Sequence, residues 1–347
     1  MLDADREVRD LGPMWKTTIC TRRWTLLATS LLLVAATNPA RGGESLASWR
    51  DTDSKKQIME FVERVTTPGS SAYVEPAERI AVFDNDGTLW AEQPIYFQLQ
   101  FALDRLKALA PEHPEWAKSP VLAAALADDL PAVLAAGNRG ILEVIMASHT
   151  GNTTQEFEAA VAAWIDSANH PRFERPYVEL VYQPMLELLD YLRQNDFRVF
   201  IVSGGGIDFV RVFSPAVYGI PPERVVGSTV KTRFEMREDG PVLVRLPELD
   251  FLDDKEGKPV AIGRYIGRRP IAAFGNSDGD LQMLQWTAAG DGPSLAVLVH
   301  HTDAEREWAY DRESKIGRLD AALDEAEKRG WTLIDMKRDW TTVFKDE

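Results

Sequence analysis

Asp84 and Asp86 stand one residue apart, with Gly87 and Thr88 directly after them. Two carboxylates this close suit a nucleophile working beside a proton donor, or two groups sharing a cation. Burying two like charges together is costly unless a cation or a phosphoryl group shares the site. In front of them, Arg79–Phe83 carries Ile80, Val82 and Phe83, with Ala81 small enough to pack anywhere, and predicts a short buried strand. A parallel strand ending in acids delivers them to the carboxyl edge of a sheet, where open α/β folds bind ligands. The competing interpretation is an ordinary Asx-rich turn, because Asp, Asn and Gly are common turn residues.

Three later stretches carry chemistry of the same kind. Phe197–Val202 predicts a strand that ends in Ser203-Gly204-Gly205-Gly206, with a helix starting at Ile207. Glycines there let backbone N–H groups approach an anion, and the helix start adds partial positive charge. Residues 253–262 bring two lysines, Lys255 and Lys258, to the start of a helix; Pro259 favours a helical start beside Lys258. Pro270–Phe274 predicts another strand, followed by Asn276, Asp278 and Asp280 and then an apolar helix. Acids placed so after a strand suit a hard divalent cation with oxygen ligands, Mg²⁺ above all.

Taken in order, these four stretches resemble the motifs of the haloacid dehalogenase superfamily, in particular its phosphoserine phosphatase-like branch. The resemblance covers roughly residues 75–300. It implies an α/β fold: a Rossmann-like doubly wound parallel sheet with an inserted helical cap. It implies that Asp84 attacks phosphorus and that Asp86 is the general acid and base. Ser203, Gly204, Gly205 and a lysine would hold the phosphate, with Lys258 fitting the family spacing better than Lys255. Asp84, Asp86, Asn276 and Asp280 would bind Mg²⁺. Asn276 departs from the family, whose members commonly carry Asp there, and leaves open which of Asn276, Asp278 and Asp280 ligates. The function implied is Mg²⁺-dependent hydrolysis of a small phosphomonoester through an aspartyl-phosphate. The alternatives are a carbon–halogen hydrolase, disfavoured by Asp86, and a non-catalytic phosphate-binding protein.

The elements that must position these residues are legible in part. Ile58, Phe61, Val62 and Val65 predict a helix before the first strand. Between the first two motifs the pattern is helical: Phe97 to Leu109, an alanine-rich helix from Val121 to Leu134, Ile141 to Met146, and a fourth helix opened by the capping-box pattern Thr153–Glu156. This divides the chain into a signal peptide with upstream extension (1–42), a catalytic core (43–90 and 184–347) and a helical cap (91–183). His113, His149 and His170 read as loop histidines. Glu92 lies one residue short of the offset at which phosphoserine phosphatases place a substrate-binding Glu, and otherwise reads as a solvated residue at a helix start. Residues 225–249 alternate like a β-hairpin, Ser294–Val299 reads as the last strand, and 318–328 as a helix before a terminal segment at 331–344.

With 347 residues, 45% of them hydrophobic, the chain can bury a large core. A net charge of −15, from 54 acidic against 39 basic residues, excludes a broad basic face for nucleic acid or anionic membrane. Residues 24–36 form an apolar run of signal-peptide length, preceded by Lys16, Arg22 and Arg23 and followed by small residues, with Met14 a better start than Met1. Arg22-Arg23 also admits a twin-arginine export route. The expectation is a periplasmic or secreted protein with no stable membrane anchor after cleavage. The one cysteine, Cys20, lies before that run, so thiol chemistry is not expected.

Overall fold

The computed structural model describes residues 46–345; the signal segment read at 1–42 lies outside the described residues. The chain begins with α1 (Asp53–Thr66) and β1 (Ile80–Phe83), then a helical stretch of α2 (Phe97–Leu109), α3 (Pro120–Leu126), α4 (Leu130–Ala135), α5 (Gly137–His149) and α6 (Thr154–Ser167). There follow α7 (Gln183–Gln194), β2 (Arg198–Gly206), α8 (Ile207–Tyr218) and the long hairpin strands β3 (Val225–Arg237) and β4 (Gly240–Phe251). The rest alternates: α9 (Gly257–Ala261), β5 (Ala272–Gly275), α10 (Leu281–Ala288), β6 (Leu295–Thr302), β7 (Ala309–Tyr310), α11 (Ala321–Arg329), β8 (Thr332–Asp335) and α12 (Met336–Asp339).

Six strands run parallel in the spatial order β3-β2-β1-β5-β6-β8, while β4 and β7 add antiparallel pairs. Their central segments read as continuous apolar runs because both faces of the sheet are covered. Side chains alternate between the faces. Ala81, Phe83, Val199, Ile201 and Phe274 face a core built with α1, α7 and α8. Ile80, Val82, Val202 and Ala273 face a second core built with α9, α10 and α11. Phe83 stacks on Phe274 with ring centroids 4.2 Å apart, fixing the β1–β5 register from the first face. The order is that of a doubly wound, Rossmann-like sheet, as expected, and its direction of winding reverses between β1 and β5, the switch point where such folds bind ligands.

The helical stretch after β1 has a core of its own, from Leu99, Leu103 and Leu106 of α2 to Leu122, Val133 and Val144. The opposite side of α2 presents Phe97 and Phe101 to the main core, so one helix serves both. The Thr153 capping box is present: its hydroxyl accepts from Glu156 N–H and the Glu156 carboxylate accepts in return. The hairpin also reaches this stretch. Arg245 exchanges main-chain hydrogen bonds with Gly151 and Asn152 at 2.9 Å each. Its buried guanidinium donates to the His149 carbonyl and to Asp208 and lies over the Phe157 ring.

Two expectations are corrected. The single helix expected over Val121–Leu134 is two, because Asp128 turns left-handed (φ 61°) and Asp129 caps a new helix by accepting from Ala132 N–H. Ser294–Val299 is not the last strand: β8, from the terminal segment, pairs with β6 in parallel. No helix among the described residues is long and apolar enough to cross a membrane.

Candidate active site

Asp84 is the first residue beyond β1. Its N–H donates to the Phe274 carbonyl at 2.9 Å, so pairing with β5 continues past the strand and fixes where the side chain starts. Lys258, 2% exposed, enters from the first turn of α9. Its Nζ donates to Asp84 Oδ1 at 2.7 Å, to Asp280 Oδ1 at 2.6 Å and to the Val202 carbonyl at 2.9 Å. All three ammonium hydrogens are therefore used. Of the two candidate lysines, Lys258 meets the acids, while Lys255 is exposed and sits in a left-handed turn (φ 52°). Burial pushes the Asp84 carboxyl well above its usual range, the Asp280 charge adds to this, and Lys258 opposes it. Burial alone would lower Lys258, but the charges of Asp280 and Asp84 outweigh it and hold the ammonium above its ordinary pKa.

Asp280 is spent on structure. Its Oδ1 is taken by Lys258, and its Oδ2 accepts from the N–H groups of Asn276 and Ser277 at 3.0 and 3.1 Å. The carboxylate read from sequence as a metal ligand thus anchors the lysine and the turn after β5. Asp278 points elsewhere: it accepts from the N–H groups of Asp320 and Ala322, at the start of α11.

Asp86 is half-buried, with Oδ1 accepting from Trp90 Nε1 at 2.8 Å. Burial raises its carboxyl pKa, and the Trp90 hydrogen bond only partly offsets this. Gly87 follows in a left-handed conformation (φ 73°), and a Cβ there would lie 2.0 Å from Asn276 Nδ2. Only glycine satisfies both demands. Asn276 itself is buried, donating to Glu92 Oε1 at 2.7 Å and accepting from the Thr88 hydroxyl at 3.1 Å. Glu92 is not the solvated residue the sequence suggested. It is 1% exposed, also accepts from Tyr310 OH at 2.7 Å, and burial pushes its carboxyl well above the usual range.

Ser203 is fully buried within β2, which runs on through the glycines to Gly206, and its Oγ accepts from Gly205 N–H at 3.0 Å, which leaves the hydroxyl hydrogen to donate elsewhere. Gly204 is exposed, its carbonyl taken by the Ser228 hydroxyl. The Gly206 N–H is engaged by Gln98 Oε1 from α2, at 2.7 Å. The amides expected to cradle an anion are thus partly occupied by the protein itself. Gln98 Nε2 in turn lies 3.1 Å from His149 Nε2. His149 is the buried last residue of α5, not a loop histidine, and burial with Arg245 and Arg105 nearby lowers its pKa well below 6.5, so it accepts as neutral imidazole. His170 is buried as well, bonded to the Gln93 carbonyl, whereas His113 stacks on Trp116.

Sequence reasoning missed the pair His301 and Glu307, which lies under the Gly87 carbonyl. It carried no local signal, since β6 and the turn after it meet the first acid loop only in the fold.

For a metal, the oxygens on offer are the Asp84 carboxylate, the Asp86 main-chain carbonyl and the Asn276 amide oxygen. Among the described residues there is no cluster of three or more His, Cys, Asp or Glu side chains able to hold an ion. One carboxylate with neutral oxygens fits a largely hydrated Mg²⁺ and does not fit a nitrogen- or sulfur-ligated metal.

A family model for haloacid dehalogenase-like hydrolases matches residues 81–285. No curated protein sequence matches. Among solved structures, a functionally unknown protein from Anaerococcus prevotii is 18% identical, over 80% of this chain and 90% of its own, with a TM-score of 0.49. One of unknown function from Bordetella pertussis is 15% identical, over 74% and 98%, with a TM-score of 0.47. A phosphoserine phosphohydrolase-like protein from Francisella tularensis is 15% identical, over 71% and 98%, with a TM-score of 0.38.

Proposed function

The chain belongs to the haloacid dehalogenase-like hydrolases, and from that premise we propose that it hydrolyses small phosphomonoesters through an aspartyl-phosphate on Asp84. One observation carries this: Asp84, with Asp86 two residues on, stands at the sheet switch point with Lys258 bonded to its carboxylate. Lys258 takes Oδ1 and so sets the rotation of the carboxylate that attacks phosphorus in line. Asp86, whose carboxyl is raised by burial, carries the proton that the leaving oxygen needs. Once ionised, it takes a proton from the water that attacks the aspartyl-phosphate. The Ser203 hydroxyl donates its hydrogen to the transferring group, and the Lys258 ammonium, its hydrogens held by the protein, offsets charge there through space. Asp84, the Asp86 carbonyl and Asn276 would hold Mg²⁺, which when bound draws negative charge from the phosphoryl oxygens.

The test is release of a chromogenic alcohol from its phosphomonoester by purified protein, with Mg²⁺ and with chelator. Mg²⁺-dependent turnover that Asp84→Asn abolishes is the expected result, and no turnover under either condition refutes it. Export is part of the proposal and rests on residues 24–36 alone. A native protein whose measured mass begins between Thr37 and Glu44 supports it, and an intact N-terminus contradicts it.

A further inference from the structure

Beneath the acid loop lies a buried polar group that the chemistry above does not use. His301, at the end of β6, is 2% exposed, and Glu307 is fully buried. His301 Nε2 lies 2.8 Å from the Gly87 carbonyl, and Nδ1 lies 3.0 Å from Glu307 Oε2. A carbonyl only accepts, so the hydrogen at that end belongs to Nε2. Glu307 also receives the Tyr182 hydroxyl at 3.2 Å and the Trp308 N–H at 2.8 Å. The carboxylate is thus held from three sides, by the imidazole ring, the phenol and the main chain. The imidazole is held flat against Tyr310, ring centroids 4.4 Å apart. Every freedom of the ring is thereby removed, and its remaining donor is aimed at one loop carbonyl.

That carbonyl is well placed to matter. Gly87 sits between Asp86 and Thr88 with φ 73°, and its N–H is already bonded to the Trp90 carbonyl at 2.8 Å. The turn's own hydrogen bond closes one side of the Gly87 residue; His301, 214 positions along the chain, closes the other. A buried histidine serving only the core would spend its hydrogens on core partners. This one spends its outward hydrogen on the backbone next to a carboxylate whose aim decides proton transfer.

We propose that His301, held by Glu307, is a positioning residue for the reaction: by gripping the Gly87 carbonyl it fixes the turn that aims the Asp86 carboxylate. The inference rests on the role given to Asp86 above. Three variants test it, with two measurements on each. In His301→Leu and His301→Asn, where the hydrogen bond is absent or out of reach, amide exchange in the peptide spanning 84–90 rises about tenfold or more, and that of α6 does not. In the same variants kcat on the chromogenic phosphomonoester falls about tenfold or more while KM changes less than about twofold, as expected when aim rather than binding is lost. His301→Gln, whose longer amide reaches the carbonyl, restores both to within about threefold of the wild type. Wild-type exchange over 84–90 in the Leu and Asn variants overturns the proposal. So does a loosened loop with unchanged kcat, or a Gln variant no better than Asn. Should the wild type fail to turn over phosphoesters, the hydrolase proposal falls on that result alone, and the exchange measurements still decide whether His301 grips the loop.

Discussion

The two walls of the site bury polar groups in opposite ways. On the sheet side, Asp84, Lys258, Asp280, Asn276 and Glu92 come from four separate segments and satisfy one another within the core. On the helical side, Gln98 and His149 meet the glycine turn through a single amide hydrogen bond and each other through one more. The first wall is over-determined: six parallel strands end at one edge, and losing any member strands a buried charge or amide. The second touches the glycine turn at one hydrogen bond only. Chemistry should therefore be sensitive to the sheet wall, and ligand choice to the helical wall.

Breaking the comparison begins with the nucleophile. Asp84→Asn keeps the shape of the side chain but cannot attack, so kcat should drop by about 10⁴-fold or more, with the thermal transition still cooperative. Lys258→Met comes next, because it leaves two buried carboxylates facing each other. It should cost activity and also about 3–5 kcal/mol of stability in denaturant titration, whereas Lys255→Ala, exposed, should change neither.

Asp253 sharpens the picture from its edge. It is buried, neither carboxylate oxygen has a partner, and burial raises its pKa from 3.8 to about 7. The folded state then holds a proton that the unfolded chain has lost, so stability should be intact below about pH 3.8 and decline as pH rises to about 7. Asp253→Asn removes the penalty, and melting curves should show stabilisation at pH 8 and none at pH 3. A variant equally stabilised at both would mean the carboxyl is not perturbed. The smallest effect belongs to the helical wall. Gln98→Ala frees the Gly206 N–H and the His149 ring and removes two hydrogen bonds, about 1 kcal/mol each. Its signature should be an altered ranking of phosphoester substrates by KM with kcat little changed. A large fall in kcat would erase the distinction between the walls.

Much of the sheet wall was legible because its parts are local. A buried strand, an acid pair and a glycine fit in a single window of sequence, and so does a lysine at a helix start. The parallel sheet came with the resemblance that those stretches carry to a known family. What escaped depends on contacts between distant segments. Glu92 looks like any polar residue at a helix start, and only the turn carrying Tyr310 and the close approach of Gly317 make it buried. His301 and Glu307 have no pattern at all without the fold. Asp280 was found, but its hydrogen bond to Lys258 could not be, because it joins two separate segments. The break in the alanine-rich helix was readable in principle, since Asp129 with Pro131 is a start signal placed inside an apolar run.

Arg245 has a consequence for timing. Its two strand-like hydrogen bonds to Gly151 and Asn152, with its guanidinium bonded to the His149 carbonyl and Asp208, join the hairpin to the helical wall at a point where both are buried. Swinging that wall outward would strand a buried guanidinium in the same step, so the two elements travel together or not at all. Any opening of the site therefore carries the hairpin along with the helical wall. A turnover limited by that joint motion should slow as the solvent is thickened, and one limited by chemistry should not.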